Sequence, residues 1–306
     1  MTRALITGAT AGIGAEFARQ LAARGDDLVL VARTAARLDA LAAELRAAHP
    51  VRVEVLAADL LDEAGLARVD ARLAQAEHPV DLLINNAGYG LAGDFVDNTL
   101  EQERRHHALH VTVPLQLSHT ALRGMLARRR GRVVLISSVA AFTPRGTYGA
   151  AKAWGVSFAR WANLRYRSRG VSVTAVCPGF VRTEFHERMG VAVDGIPRAL
   201  WLEAPRLVRL ALRGIDRGRS VVIPTARYRA LAGLARVLPD RLAAVGGFRG
   251  GAPTRRPRRR RERSRREPAA GRPRPRPARP STRRAAARSR SDRRRAPPWR
   301  RRARSS

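Results

Sequence analysis

The sequence predicts an α/β protein, a doubly wound parallel sheet of about seven strands flanked by helices, followed by a disordered C-terminal tail. Three observations carry this expectation. Short apolar runs alternate with helical-period segments almost throughout residues 1–247. A glycine-rich turn follows the first apolar run and opens a helical pattern. Apolar residues then nearly vanish beyond residue 248. The chain therefore divides into a domain over 1–247, with a substrate flap at about 184–200, and an Arg/Pro-rich tail over 248–306.

The elements follow in order. Residues 3–7 read as a buried strand, and Gly8, Thr10, Ala11, Gly12, Ile13 and Gly14 make a tight turn into a helix with Phe17, Leu21 and Ala22 on one face. Strand, glycine turn and helix start are suited to cradling a pyrophosphate, because the backbone approaches closely and the helix offers free N–H groups. The second strand, 28–32, ends at Ala32, followed by Arg33 and Arg37. A carboxylate there would accept from a ribose 2′-OH and select NAD(H). An uncharged residue and two arginines favour a 2′-phosphate, hence NADP(H), or are solvated residues at a helix start. A helix over 38–48 leads to a third strand, 51–57, and to Asp59 and Leu60. Asp59 either accepts from an adenine amino group or caps the helix starting near Asp62. The fourth strand, 80–84, ends in Asn85, Asn86, Ala87 and Gly88, amides and a glycine suited to tying strands together beside a ribose. Helices over 98–130 are expected to break near Thr112–Pro114. A fifth strand, 131–136, ends at Ser137 and Ser138. A helix then runs to about Arg169, a sixth strand spans 171–176, a helix covers about 203–217, and a strand over 220–223 completes the sheet.

One pair on the helix after the fifth strand stands out. Lys152 is the only lysine; the rest of the 59 basic residues are arginine. Tyr148 lies four residues earlier, so the two share a helix face one turn apart. A nearby ammonium favours phenolate, so Lys152 is expected to lower the tyrosine pKa from about 10, each unit worth about 1.4 kcal/mol.

Charge divides with the domains. The net +34 of the chain is mostly tail: residues 249–306 hold 25 arginines against Glu262, Glu267 and Asp292. That tail lacks Leu, Ile, Val, Met, Phe and Tyr, so it cannot offset its ordering entropy. It would bind nucleic acid or an anionic surface through its arginines, or be a solvated appendage or the product of a shifted reading frame. The lone Cys177 suits a reducing cytoplasm. No signal-like segment or transmembrane run is apparent.

Taken together, TGATAGIG at 7–14, Asp59, NNAG at 85–88, the serines at 137–138, YGAAK at 148–152 and PGFVRT at 178–183 resemble the short-chain dehydrogenase/reductase (SDR) family, a Rossmann-type fold, over about residues 1–245. The resemblance implies an NADP-preferring oxidoreductase acting on a carbonyl or secondary alcohol, usually a homo-dimer or tetramer. It implies that Tyr148 handles the proton at the substrate oxygen, that Ser138 hydrogen-bonds that oxygen, and that Lys152 holds the nicotinamide ribose. It places Pro178, Gly179, Val181 and Thr183 at the nicotinamide end. Two departures stand out. His110 occupies the position of the family's usual asparagine in a water-mediated relay to the lysine; it either maintains a pH-sensitive relay or is a packed helix residue. Ser138 is only ten positions before Tyr148, fewer than usual, which leaves Ser137 as an alternative. His106, His107 and His110 lack the carboxylate or cysteine that would complete a metal site. Phe142, Phe180, Phe185 and Trp201 either line an apolar substrate pocket or belong to the core. The competing readings are a cofactor-binding protein without turnover, and a nucleic-acid-binding protein carried by the tail.

Overall fold

The computed structural model describes residues 2–182, 197–235, 237–239 and 241. Within them lies a seven-stranded, all-parallel sheet of order β3-β2-β1-β4-β5-β6-β7. The strands are β1 (Arg3–Thr7), β2 (Asp27–Ala32), β3 (Val53–Ala57), β4 (Leu82–Asn85), β5 (Gly131–Ile136), β6 (Val171–Val176) and β7 (Val221–Val222). The expected seven-stranded α/β architecture is therefore present. Strand order reverses between β1 and β4, so a crevice opens at their carboxyl ends.

Alternation along each strand builds two cores. Ala4 and Ile6 of β1, Leu28 and Leu30 of β2, and Leu82 and Ile84 of β4 face one side. There they meet α1 (Gly12–Ala22), α2 (Ala35–Ala48) and α7 (Ala204–Asp216). Leu5, Val29, Val31, Leu83 and Val133 face the other side. They meet α3 (Glu63–Ala74), α5 (Val113–Ala127) and α6 (Gly146–Tyr166). Burial on both faces is why these strands read as nearly continuous Leu/Val/Ile runs.

Several boundaries differ from the sequence expectation. Helix α2 starts at Ala35, three residues early, after Thr34 in extended conformation. Asp62, not Asp59, caps α3 by accepting from the Gly65 amide at 2.9 Å. The expected break at Thr112–Pro114 is absent. Helix α4 (Leu100–His107) passes through a π-turn at Ala108–Thr112 into α5, and the Val113 amide reaches back to the Ala108 carbonyl. Pro114 sits in the first turn of α5, directly after the π-turn. A further helix, α8 (Ala226–Ala235), was not expected; it packs against the loop after β6 through Tyr228. Residues 184–196 of the expected flap, the boundary at 247 and the tail lie outside the described residues. Among the described residues, no helix is long and apolar enough to cross a membrane.

Candidate active site

The glycine turn is drawn tightly onto the end of β4. Gly8 has φ +66, and a Cβ there would lie 2.9 Å from Ala87 Cα. A Cβ on Gly14 would fall 2.3 Å from the Gly8 carbonyl oxygen. Asn86 Nδ2 donates to the carbonyls of Thr7 (2.9 Å) and Gly8 (3.1 Å). The amides of Asn86 and Ala87 both donate to Thr7 Oγ1. One amide side chain and one hydroxyl thus lock the turn at the sheet's switch point. Gly12 (φ +52) and Ile13 open α1, whose first turn carries no acidic residue and whose Ala11 cap supplies no side-chain acceptor. Thr10 and Ala11 are half-buried on the turn. A cradle with this close backbone approach and an uncapped amide end fits a dinucleotide pyrophosphate.

The residues expected at an adenosine end lie just past β2 and β3. Arg33 and Arg37 are exposed, just past β2 and in the first turn of α2. Asp59 Oδ1 accepts from the Leu61 amide at 3.0 Å, which orients the carboxylate beyond β3. The Leu60 side chain is buried in the core.

At the other end, α6 presents Tyr148 and Lys152 on one face, with Lys152 Nζ 5.6 Å from the Tyr148 ring centroid. Lys152 Nζ donates to the Ile136 carbonyl at 2.8 Å. The two serines separate cleanly. Ser137 Oγ donates to the Lys152 carbonyl at 2.7 Å and so anchors α6 to β5. Ser138 accepts from the Ala140 amide at 3.1 Å and hydrogen-bonds the Tyr148 hydroxyl. The 3₁₀ turn Val139–Phe142 that Ser138 caps takes up the short loop, which is how ten positions suffice.

The expected direction of the Tyr148 pKa is reversed. Desolvation pushes it up to about 12, and the hydrogen bond from Ser138 offsets part of that rise. Lys152 is 8% exposed, and burial pulls its own pKa down to about 8. The Ser138 hydrogen bond lowers the phenol, while the Lys152 ammonium lies over the ring and bonds a backbone carbonyl.

His110 sits on the π-turn with its ring beside Tyr148, centroids 5.7 Å apart and edge-on. Its Nε2 is 2.6 Å from the Tyr89 carbonyl oxygen and 3.3 Å from the Tyr89 amide nitrogen; with Nε2–H donating to the nearer oxygen, Nδ1 carries the lone pair. A Cβ on Gly88 would lie 2.4 Å from His110 Cε1, so the glycine admits the ring. Burial holds the His110 pKa well below 6.5, with Lys152 adding to the effect. The ring is therefore neutral across the physiological range and packed between Tyr89 and Tyr148, as one of the two sequence alternatives for His110 has it. His106, 1% exposed and 4.5 Å from His110 between centroids, is likewise held near 4 by burial. Among the described residues no cluster of three His, Cys, Asp or Glu is placed to hold a metal ion.

A cavity of about 20 Å³ lies between Asn85, His110, Ser137 and Lys152. Asn85 Oδ1 and His110 Nδ1 are buried there without a hydrogen-bond partner in this structure. One water fits such a space if it has two to four polar partners.

Pro178 and Gly179 follow β6. The Pro178 carbonyl accepts from the Val139 amide at 2.9 Å, which ties this loop to the Ser138 turn. Val181 is buried and bridges to Leu202. Thr183 and Phe185 lie outside the described residues. Sequence reasoning missed Tyr228, whose hydroxyl accepts from the Phe180 amide at 3.1 Å and donates to the Leu200 carbonyl at 2.7 Å. Its ring occupies the space beside Gly179, where a Cβ would fall 1.9 Å from Cζ. Nothing local in the sequence ties residue 228 to residue 180. Phe180 and Trp201 face one another at 6.0 Å, while Phe142 packs against the core.

A switch-point cradle with serine, tyrosine and lysine at its far end defines a nucleotide-dependent oxidoreductase site. The family model for short chain dehydrogenases matches residues 2–192, and the chain belongs to that family. It is 34% identical over 188 residues to Oxidoreductase UcpA of Escherichia coli, covering 60% of this chain and 71% of that one. Among solved structures, a short-chain dehydrogenase from Sphingobium yanoikuyae in complex with NADPH is 41% identical with a TM-score of 0.71, covering 76% of this chain and 93% of that one. A bulky-bulky ketone specific alcohol dehydrogenase from Comamonas testosteroni is 34% identical with a TM-score of 0.67, covering 78% and 95%.

Proposed function

We propose that this oxidoreductase is an NADPH-dependent reductase of bulky, largely apolar ketones, running in reverse on the corresponding secondary alcohols. The observation that carries the reading is the Tyr148 hydroxyl, hydrogen-bonded to Ser138 and flanked by Lys152, beside a glycine cradle closed by Asn86. When bound, NADPH supplies the hydride. Tyr148 and Ser138 hold the carbonyl oxygen and stabilise the charge it gains, and Tyr148 gives that oxygen its proton. A phenol near pKa 12 is fully protonated at neutral pH, which suits the acid role in the reductive direction. Lys152 holds the nicotinamide ribose and, through a water in the adjoining cavity, resupplies the proton. Asn85 Oδ1 and the neutral His110 Nδ1 orient that water as acceptors.

Arg33 and Arg37, with Ala32 in the acidic residue's usual place, favour the 2′-phosphate; the NADPH complex of the Sphingobium relative supports this. Bulky substrates are supported by the Comamonas relative's stated specificity and by the aromatic pair Phe180 and Trp201. A cytoplasmic setting agrees with the buried free thiol of Cys177. Homo-oligomerisation would cover Trp161 and Leu164, exposed on α6. The nucleic-acid reading rests on residues 249–306, outside the described residues.

The test is a panel of aryl alkyl and diaryl ketones run with NADPH and NADH in parallel. Turnover with NADPH is expected to exceed that with NADH, and Tyr148→Phe to lose roughly 10²–10⁴-fold in kcat. Tight NADPH binding with no turnover of any carbonyl would establish the non-catalytic alternative instead.

A further inference from the structure

The amino ends of the strands hold a second concave feature, on the edge of the sheet opposite the glycine turn. A cleft of about 450 Å³ opens there, in the size range of small-ligand sites. Its floor is the start of β5 and β6, and Arg130, Arg132, Arg167 and Arg217 line it. Its carboxylates are shared among too many cations. Asp216 faces Arg132 at 2.7 Å and Arg24 at 3.0 Å. Asp81 faces Arg130 at 3.6 Å and Arg128 at 4.0 Å. Asp26, hydrogen-bonded by Thr2, is the remaining carboxylate beside Arg24 and Arg132, and its burial raises its pKa.

Among the described residues, no carboxylate faces Arg167. Its guanidinium donates to the carbonyls of Gly218 (2.8 Å) and Arg217 (3.1 Å), which fixes its position without neutralising it. The Gly218 carbonyl is held in turn by the buried Asn163 Nδ2 at 3.1 Å. The turn is preorganised, since Gly218 has φ +63 and Gly170, on the same wall, has φ +79. A Cβ on Gly170 would collide with the Arg129 carbonyl oxygen at 1.9 Å. Four guanidiniums thus line one cleft with two carboxylates, each of them shared with a further arginine, Arg24 or Arg128, and the surplus charge repels itself until an anion enters.

The lining also limits what that anion can be. Val171 is the one apolar side chain on the wall, and no aromatic ring is present to stack on a base. Planar guanidinium forks match phosphate oxygens well, and Ser172 adds a hydroxyl donor. We propose that this cleft binds a small oligophosphate, pyrophosphate or triphosphate, at a site separate from the cofactor crevice. The proposal does not depend on the reductase reading.

The test is calorimetric titration of the full-length protein with pyrophosphate at low salt, in wild type and three charge-matched variants. Arg167→Gln/Arg217→Gln is expected to weaken saturable binding at least tenfold. Arg130→Gln/Arg217→Gln, which leaves the Arg167 turn contacts in place, should do the same. Arg104→Gln/Arg160→Gln, on exposed faces of α4 and α6, should stay within twofold of wild type. Pyrophosphate binding to the glycine turn or to the tail is common to all four proteins and cancels. Equal weakening in all three variants would show a general field effect and overturn the site, as would the absence of any binding difference.

Discussion

His106 and His110 are neutral because they are buried, and that has a sign. In the unfolded chain a histidine takes up a proton below about 6.5. In the fold His106 resists protonation until about 4. The unfolded state therefore binds more protons across that window, and stability falls as pH drops from 6.5 toward 4. His106→Phe is expected to remove on the order of 2 kcal/mol of that loss between pH 7 and 4.5, measured by urea unfolding. His110 keeps part of the slope. The same neutrality predicts a reductive kcat/KM without a histidine limb between pH 5 and 8. The rate should fall above about 8, as Lys152 loses its proton. A limb centred near 6.5 that vanishes in His110→Asn would contradict the fixed-acceptor role. Lys152→Arg should cost at least about 10²-fold in kcat, because a guanidinium cannot fit a buried site that favours a readily deprotonated amine. The lone lysine stood out from composition alone. The direction of the Tyr148 shift was not, because desolvation outweighs a neighbouring charge and burial is a property of the packed site.

At the scale of elements, the cofactor crevice depends on one close approach within the glycine turn and on one contact between distant segments. Gly14→Ala would drive a methyl group to 2.3 Å from the Gly8 carbonyl oxygen, so α1 or the turn must move. The expected result is a loss of NADPH affinity of tenfold or more with a smaller change in melting temperature, read by fluorescence titration and calorimetry. Tyr228→Phe would leave the Phe180 amide and Leu200 carbonyl unpaired at a cost of about 1–3 kcal/mol. Because Phe180 follows Pro178 and Gly179, which are proposed to meet the nicotinamide, KM for NADPH should rise as stability falls. The glycines were readable from spacing. Helix α8 and its tyrosine were not, since the link between residues 180 and 228 is purely tertiary. The π-turn was also hidden: it leaves the apolar pattern of α4 and α5 nearly intact and changes only which carbonyl accepts the Val113 amide.

For the whole molecule, the buried clusters on both sheet faces draw on residues from Ala4 to Val222. Residues 249–306 contain no aliphatic side chain larger than alanine or proline to add to them. A chain ending at residue 247 is therefore expected to keep its melting temperature within about 2 °C and its kcat with the preferred ketone. A large loss in either would assign the tail a structural or catalytic part. The doubly wound plan was legible from short apolar runs set between helical segments, because a strand buried on both faces must be apolar almost throughout.

The amino-acid order alone determined the sheet, the glycine cradle and the tyrosine–lysine pair, since each follows from local spacing and periodicity. Only the packed structure decided which serine meets the phenol, that two histidines stay neutral, and that arginines from both halves of the chain gather at the amino edge. Those outcomes depend on desolvation and on contacts between residues tens to hundreds of positions apart, quantities that exist only once the chain has closed on itself.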